Sequence, residues 1–576
     1  IDGALTVAKA VTINNLGTGR IYGDHLALQG DTLNNLEEDN KSAVIAARER
    51  LDIGVDRVLN RNESTLLSMG KIYVGKTLDE DNQAAGKSTY VHNHNGVIEA
   101  LNIYDDAKSK AITFNTGVVE NKHFFLETEN VDTSSTSVFE YRIGNDSTIY
   151  GKDSGVYKVK QDNKSSRWGL NRKIRDLYHI FSPDGKIESD NWHEYDYTRT
   201  INETIVLAPK YQEGKILSGG GIDFNDARVD NQDSKVIAGG VIETADGQLN
   251  NEEFKGRTIV TDKGKVTAYY KARKKRNRFD RYYTTASDTN IYFKQNESVK
   301  DLGVFAYKEN VAPEFTNNGV AGKANVGDVV LNRLTQSLDK SSLYNINPDA
   351  PNGYVIETDP RFANKQKWLS SDYMLNALQY SPDNMHKRLG DGFYELRLVN
   401  EQINQLTGRR YLEGYQNDLE QYQGLMNNGV HYAKKLNLVP GVALTEKQMS
   451  ELTTDLVWMV NEEVTLPGGK KLNVLTPKIY LASNRAQVAP TGAVISGDSI
   501  VAKVTSMNNE GTLIASDLVN VYGQDLQNKG VVLADNVNLN ADQKLVNLGG
   551  KIMAADSLSL YGGKSVELGA TTTETQ

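Results

Sequence analysis

The chain has 576 residues, 39% hydrophobic and 24% charged, a balance that belongs to folded rather than disordered protein. Its net charge of −9 argues against a general nucleic-acid binder, and no apolar run approaches the ~18 residues of a membrane-spanning helix. Cysteine is absent, which excludes a disulfide framework and thiolate metal sites and suits a chain that crosses an oxidising compartment unfolded. The start, Ile1-Asp2-Gly3, shows neither an initiator Met nor a signal peptide, so a fragment cut from a longer chain is expected.

Residues 1–131 read as short alternating strands punctuated by Gly and Asn, as in Gly19-Arg-Ile-Tyr-Gly-Asp-His-Leu-Ala-Leu. The pairs Asn14-Asn15 and Asn34-Asn35 are placed at turns, strands at 66–73 and 96–103, and the helix formers of 43–50 in a short excursion. Residues 132–210 are dense in aromatics (Tyr141, Tyr150, Tyr157, Trp168, Tyr178, Phe181, Trp192, Tyr195, Tyr197) and read as β-hairpins. The repeat returns over 211–264, in lines opening at Gly214, Ser234 and Gly256. A second excursion, 265–324, carries the basic and aromatic run 271–283.

Over 325–463 the apolar residues recur at helical spacing, which predicts a mainly α-helical module. Ser381-Pro382 reads as an N-cap and first turn, and Gly390-Asp-Gly392 as a break between helices. Helices are predicted at 393–406 and 411–436. A third, over 449–460, is announced by the Thr445/Gln448 capping box. Residues 464–487 read as a hairpin and linker. The final stretch, 488–576, is the most regular. Its lines open at Gly492, Gly511, Gly530 and Gly550, spaced 19, 19 and 20 residues apart. A fixed short period with Gly, Asn and Asp punctuation and period-2 strands is that of a solenoid. The fold class predicted is mainly β: a right-handed parallel β-helix with β-hairpin excursions and an inserted α-helical block, the hand following from crossover chirality.

Candidate sites divide between binding and plain structure. The run 271–283, with Arg273, Lys274, Lys275, Arg276, Arg278, Arg281 and Tyr282, suits lipopolysaccharide phosphates or an acidic receptor loop; the competing reading is a solvated hairpin. Most aromatics of 141–197 read as hairpin core. Trp168 and Trp192 are expected at the surface, joined by Tyr195 as receptor contacts. His92 and His94 point the same way on a strand, with Glu99 a loose third partner, and a polar ladder on a coil's outer face is the favoured reading over a metal site. Asp498, Asp517 and Asp556 recur once per coil as turn residues rather than as a catalytic pair. No catalytic residue, metal or cofactor is expected, and the chain is read as not an enzyme.

Three strings in the middle block, Tyr354-Val-Ile-Glu-Thr-Asp-Pro-Arg-Phe362, Lys367-Trp-Leu-Ser-Ser-Asp-Tyr-Met374 and Lys387-Arg-Leu-Gly-Asp-Gly-Phe-Tyr394, resemble the central region of filamentous-haemagglutinin-like two-partner-secretion exoproteins. The likeness is closest to the contact-dependent growth inhibition exoproteins of Gram-negative bacteria. Val464-Thr-Leu-Pro-Gly-Gly and Val474-Leu-Thr-Pro-Lys-Ile-Tyr480 resemble the stretch before that family's second repeat region. The resemblance covers roughly 340–482. It implies a monomeric surface filament exported through an outer-membrane transporter. A central region would meet an outer-membrane receptor, protein or lipopolysaccharide, on a target cell, and a second repeat region would help deliver a C-terminal toxin. A host-cell or biofilm adhesin and, more remotely, a β-helical polysaccharide-active enzyme are the alternatives.

Overall fold

The computed structural model describes all residues except 124–127, 144–148, 152, 162–163, 168–169, 174–176, 182–187, 207–212, 276–280, 302–330, 332–333, 336–337, 339, 351–352, 382–384, 467–468, 483–491 and 571–576. The predicted Ser381-Pro382 cap falls partly on these. The chain divides into two units: Ile1–Leu126 with Lys210–Phe254 and Val304–Gln576, and Glu127–Pro209 with Lys255–Gly303.

The first unit is built on a parallel β-helix. Alternation along each short strand sends every second side chain inward, and parallel stacking in register puts like residues above one another. One column shows this: Leu33, Val58, Val91, Val119, Val229, Leu249, Met507, Leu526 and Leu545 pair strand to strand. All are buried. Each such side chain contributes about 1.5–3 kcal/mol of burial.

Two residues further along the same strands runs a second column, of asparagines. Asn15, Asn35, Asn60, Asn93, Asn121, Asn231, Asn251, Asn509 and Asn528 each pass an amide hydrogen to the side-chain carbonyl of the next, at 2.7–2.9 Å, and the column ends at Asn547. A buried amide without partners costs about 1–3 kcal/mol; here each amide supplies its neighbour's missing partner. The step from Asn121 to Asn231 spans the residues of the second unit's first segment, and that from Asn251 to Asn509 spans much more, yet neither breaks the column. Asn15 and Asn35 therefore lie in strands Thr12–Leu16 and Arg20–Glu38, not at the turns expected of them.

The expected helical excursion at 43–50 is also a strand, part of Val44–Arg61. Ala43, Val44, Ile45, Ala46 and Ala47 are all fully buried. Ile45 and Ala47 face the β-helix core, while Val44 and Ala46 face outward under a second apolar layer. A strand buried on both faces loses its alternation and reads like a helix segment.

That second layer is the middle block, an α/β module rather than a mainly helical one. Its five-stranded sheet runs Tyr344–Ile346, Tyr354–Thr358, Arg388–Gly390, Lys471–Tyr480, Leu456–Thr465. Helices Gly392–Thr407 and Asp418–Leu436 pack on it. The Thr445/Gln448 capping box forms, but its helix, Glu446–Ser450, is short, and the predicted continuation to 460 is strand. Leu456, Val457, Trp458, Met459 and Val460 are at most 2% exposed, so both faces of that strand are covered and period-2 patterning is again erased.

The second unit centres on a five-stranded antiparallel sheet, ordered Ile149–Gly151, Thr128–Ile143, Trp192–Val206, Lys255–Lys275, Arg281–Asp301. The two predicted excursions are thus one unit. The β-helical stretch predicted to reach 264 stops at Phe254, because Thr258-Ile-Val of the Gly256 line pairs antiparallel with Trp192–Val206 and not with a coil.

Candidate functional site

The sheet of the second unit has two chemically different faces. On one, Trp192 stacks on Tyr269 at 4.0 Å between ring centroids and meets Tyr141 edge-on at 5.7 Å. Ile143 and Ile180 complete this small core. Trp192 is 0% exposed, which corrects its expected place at the surface: in a sheet with little other apolar material, the largest side chain is the core.

The opposite face carries a charged and aromatic network. Arg199 grips Asp262 with two parallel hydrogen bonds, Nε to Oδ1 at 2.8 Å and Nη2 to Oδ2 at 2.9 Å. Arg142 donates to Glu140 at 2.7 Å and lies 4.3 Å over the Tyr195 ring. Tyr195 and Tyr197 both contact Tyr292, at 5.0 and 5.1 Å between centroids. Burial, reinforced by Glu140, pushes the Tyr197 hydroxyl up to about 12. Gly264 lies opposite Tyr197, where a Cβ would come within 2.4 Å of the tyrosine Cα, so the glycine makes room for the ring. Paired Arg with interleaved Tyr is the composition of energetically dominant interface residues. Tyr195 is half-buried within this network.

The described parts of the basic run lie at the adjoining ends of the paired strands Lys255–Lys275 and Arg281–Asp301, in which Lys274 pairs with Tyr282 and Lys275 with Arg281. Arg273 is exposed, and Lys271 bonds Asp190 at 3.1 Å. Trp168, Arg276 and Arg278 lie outside the described residues. On the last strand of the sheet, Ile291 is 85% exposed, Phe293 59% and Val299 72%.

Sequence reasoning missed the polar groups that fix the α/β module to the β-helix. Arg410, 0% exposed, donates to Glu99 of the β-helix at 2.9 Å and to Asp418 through Nε at 2.9 Å. Arg397 reaches the other Glu99 oxygen at 2.9 Å. Burial opposes ionisation of Glu99, but these two guanidiniums hold its carboxyl below the usual range. Glu395 is buried with only neutral donors, Ser371 and Tyr422, and burial pushes its carboxyl up to about 7. Nothing local in the sequence marks these pairs, since Glu99 and Arg410 are 311 positions apart.

Glu99 is therefore committed elsewhere, and the carboxylate beside His92 and His94 is Glu120, from the next coil. His92 pairs directly with Glu120 in the parallel register. The Glu120 Oε2 lies 2.9 Å from His94 Nε2 and 3.8 Å from His92 Nε2, and the imidazoles stack at 5.1 Å. The His94 hydrogen bond holds the Glu120 carboxyl down at about 2, and burial pushes His92 below its ordinary value.

Comparison with known proteins gives relatives of one kind. The chain is 37% identical over 249 residues to the tRNA nuclease CdiA-2 of Burkholderia pseudomallei, covering 43% of this chain and 8% of that protein. It is 34% identical over 244 residues to the toxin CdiA of Yersinia pestis, 41% of this chain and 7% of that one. It is 32% identical over 176 residues to the 16S rRNA endonuclease CdiA of Enterobacter cloacae, 31% and 5%. No family model and no solved structure matches. The matched stretches are less than a tenth of each relative's length.

Fold and repeat together define a segment built on a parallel β-helix. Within that class the chain is CdiA-like: the proteins it is similar to are CdiA proteins of contact-dependent growth inhibition. The expectation that the chain is not an enzyme is corrected by these comparisons, because relatives at this identity are named as nucleases. Among the described residues no helix is long and apolar enough to cross a membrane, which says nothing of strands that do.

Proposed function

We propose that this chain is the receptor-recognition segment of a CdiA-type toxin protein displayed at the surface of a Gram-negative cell. In this reading the β-helix is a single-chain rod, and the unit of Glu127–Pro209 with Lys255–Gly303 docks on an outer-membrane component, protein or lipopolysaccharide, of a target cell. The nuclease activity for which several relatives are named is proposed for the protein that carries this segment, as is export through a two-partner outer-membrane transporter. The observation that carries the reading is the Arg142–Tyr195–Tyr197–Arg199–Tyr292 face of the second unit. An inserted unit on a rigid repeat is where binding belongs, since the coils themselves are committed to stacking.

The test is binding of the purified chain to Gram-negative cells, before and after surface proteolysis, with Tyr195→Ala and Arg273→Glu variants. Protease-sensitive binding weakened by Tyr195→Ala supports a protein receptor. Binding that survives proteolysis but falls with Arg273→Glu points to lipopolysaccharide. Wild-type binding to no bacterial cell overturns the proposal. Incubation of the same chain with tRNA reads in parallel whether RNA cleavage resides in these residues.

A further inference from the structure

We propose that His92, His94 and Glu120 form a binding site for one divalent transition-metal ion of the zinc type, held across two adjacent coils of the β-helix. Three potential ligand atoms converge there: one ring nitrogen from each histidine and one Glu120 carboxylate oxygen all lie within 4.8 Å of one another. With metal–ligand bonds of about 2.0–2.2 Å, tetrahedral ligand atoms stand roughly 3.3 Å apart. The present 2.9 and 3.8 Å from Glu120 to the two imidazoles bracket that spacing, so rotamer adjustments suffice. Two neutral imidazoles with one carboxylate and an open fourth position for water are a zinc-type donor set, and Cu2+ or Ni2+ suit the same ligands.

The scaffold supplies what such a site requires. Between the two histidines, Asn93 points inward and is clamped by Asn60 and Asn121 at 2.8 Å each, so the strand cannot slide. Asn121, next to Glu120, is held by Asn231 at 2.9 Å. Tyr90 stacks on His92 at 4.0 Å with 16° between planes and fixes its orientation. All three ligands are partly exposed, at 23%, 14% and 16% of their side-chain surface, so an ion has access. The competitor is Lys122, whose Nζ now sits 3.1 Å from Glu120 Oε2. It is 32% exposed and can swing into solvent. Metal binding would displace that ammonium and would use the Nε2 lone pair of each imidazole, with the ring proton carried on Nδ1.

Metal-stripped chain is titrated with zinc by calorimetry and with cobalt by visible absorption. One ion per chain is expected, with the absorption band of four-coordinate cobalt. His92→Asn and Glu120→Gln should each weaken binding at least about tenfold. Lys122→Met should tighten it, a gain that a plain hydrogen-bonded ladder would not produce. Hydrogen exchange at the coil amides around Asn93 and Asn121 shows that each variant keeps its fold. Unchanged stoichiometry in a His92→Asn/His94→Asn double variant overturns the proposal, as does absence of zinc binding by the wild-type chain.

Discussion

Replacing Asn231 with Ala removes one rung from the buried asparagine column where three segments distant in sequence meet. Asn231 Nδ2 donates to the Asn251 side chain and the Ser234 carbonyl at 2.8 Å, and to the Val494 carbonyl at 3.2 Å. Its Oδ1 accepts from Asn121 at 2.9 Å. After the change, Asn121 keeps two backbone acceptors, but the Asn251 side-chain carbonyl loses its donor inside the protein. One buried orphan costs about 1–3 kcal/mol, and the remaining lost bonds about 0.5–1.5 kcal/mol each, so a local loss of about 3 kcal/mol is expected. A chain of several units does not unfold in two states, which makes a single melting midpoint a poor readout. Native-state hydrogen exchange resolves the effect: amides of Arg228–Gln232 and Val241–Glu252 should exchange about 100-fold faster. Asn14→Ala is the control, because Asn14 is exposed and only accepts one surface bond from Asn34. Exchange within threefold of the parent, or an equal effect from Asn14→Ala, would refute the idea that the column holds the coils in register.

Three further outcomes follow from the buried groups. Arg410→Met leaves Glu99 and Asp418 buried without their shared cation and should cost about 3–5 kcal/mol, seen as faster proteolysis of the α/β module. Adding Asp418→Asn should restore part of that loss, since Glu99 keeps its pair with Arg397. Glu395 has a folded carboxyl at about 7 against an ordinary 4.5, so the folded state binds its proton more tightly than the unfolded one. The module should therefore lose stability as pH rises from 4.5 towards 7, by about 3 kcal/mol in all, and Glu395→Gln should flatten that decline between pH 5 and pH 8. Trp192→Ala should destabilise the second unit by about 3–5 kcal/mol in denaturant titration, where a surface contact residue would cost almost nothing.

The β-helix was legible where one face of each strand meets solvent. The lines from Gly492 to Gly550 alternate cleanly because their outer faces are wet, and the stack Val494–Asn509, Thr512–Asn528, Val531–Leu548 follows them. It was illegible where a second layer covers the outer face: 43–47 and 456–460 present continuous apolar runs, and composition alone cannot tell a doubly buried strand from a helix. The capping box at Thr445 forms as its residues imply, but a cap announces a start and not a length. Of the candidate receptor contacts, Tyr195 sits in an arginine–tyrosine network. Trp192 does not face solvent, because exposure depends on which face of the sheet acquires a core, and a lone strand does not record that. The asparagine column did leave a trace, in Asn509, Asn528 and Asn547 at spacings of 19 residues, two or three positions before a glycine line.

That column also bears on how a repeat rod tolerates so much inserted chain. Each coil satisfies its backbone through the coils above and below it, not through its sequence neighbours. Asn251 bonds Asn509, and Val241–Glu252 pairs in register with Val494–Asn509, just as Thr512–Asn528 pairs with the coil that follows it directly. Loop-closure entropy grows only with the logarithm of length, so each doubling of an insertion adds about 0.6 kcal/mol, less than one rung of the ladder contributes. An inserted unit can therefore grow or change its sequence at little cost to the rod, provided its ends return the chain to the column. His92, His94 and Glu120 sit on the opposite side of those same strands from the rungs at Asn93 and Asn121. A metal there would tie two coils together from outside at the level where the first insertion leaves the β-helix.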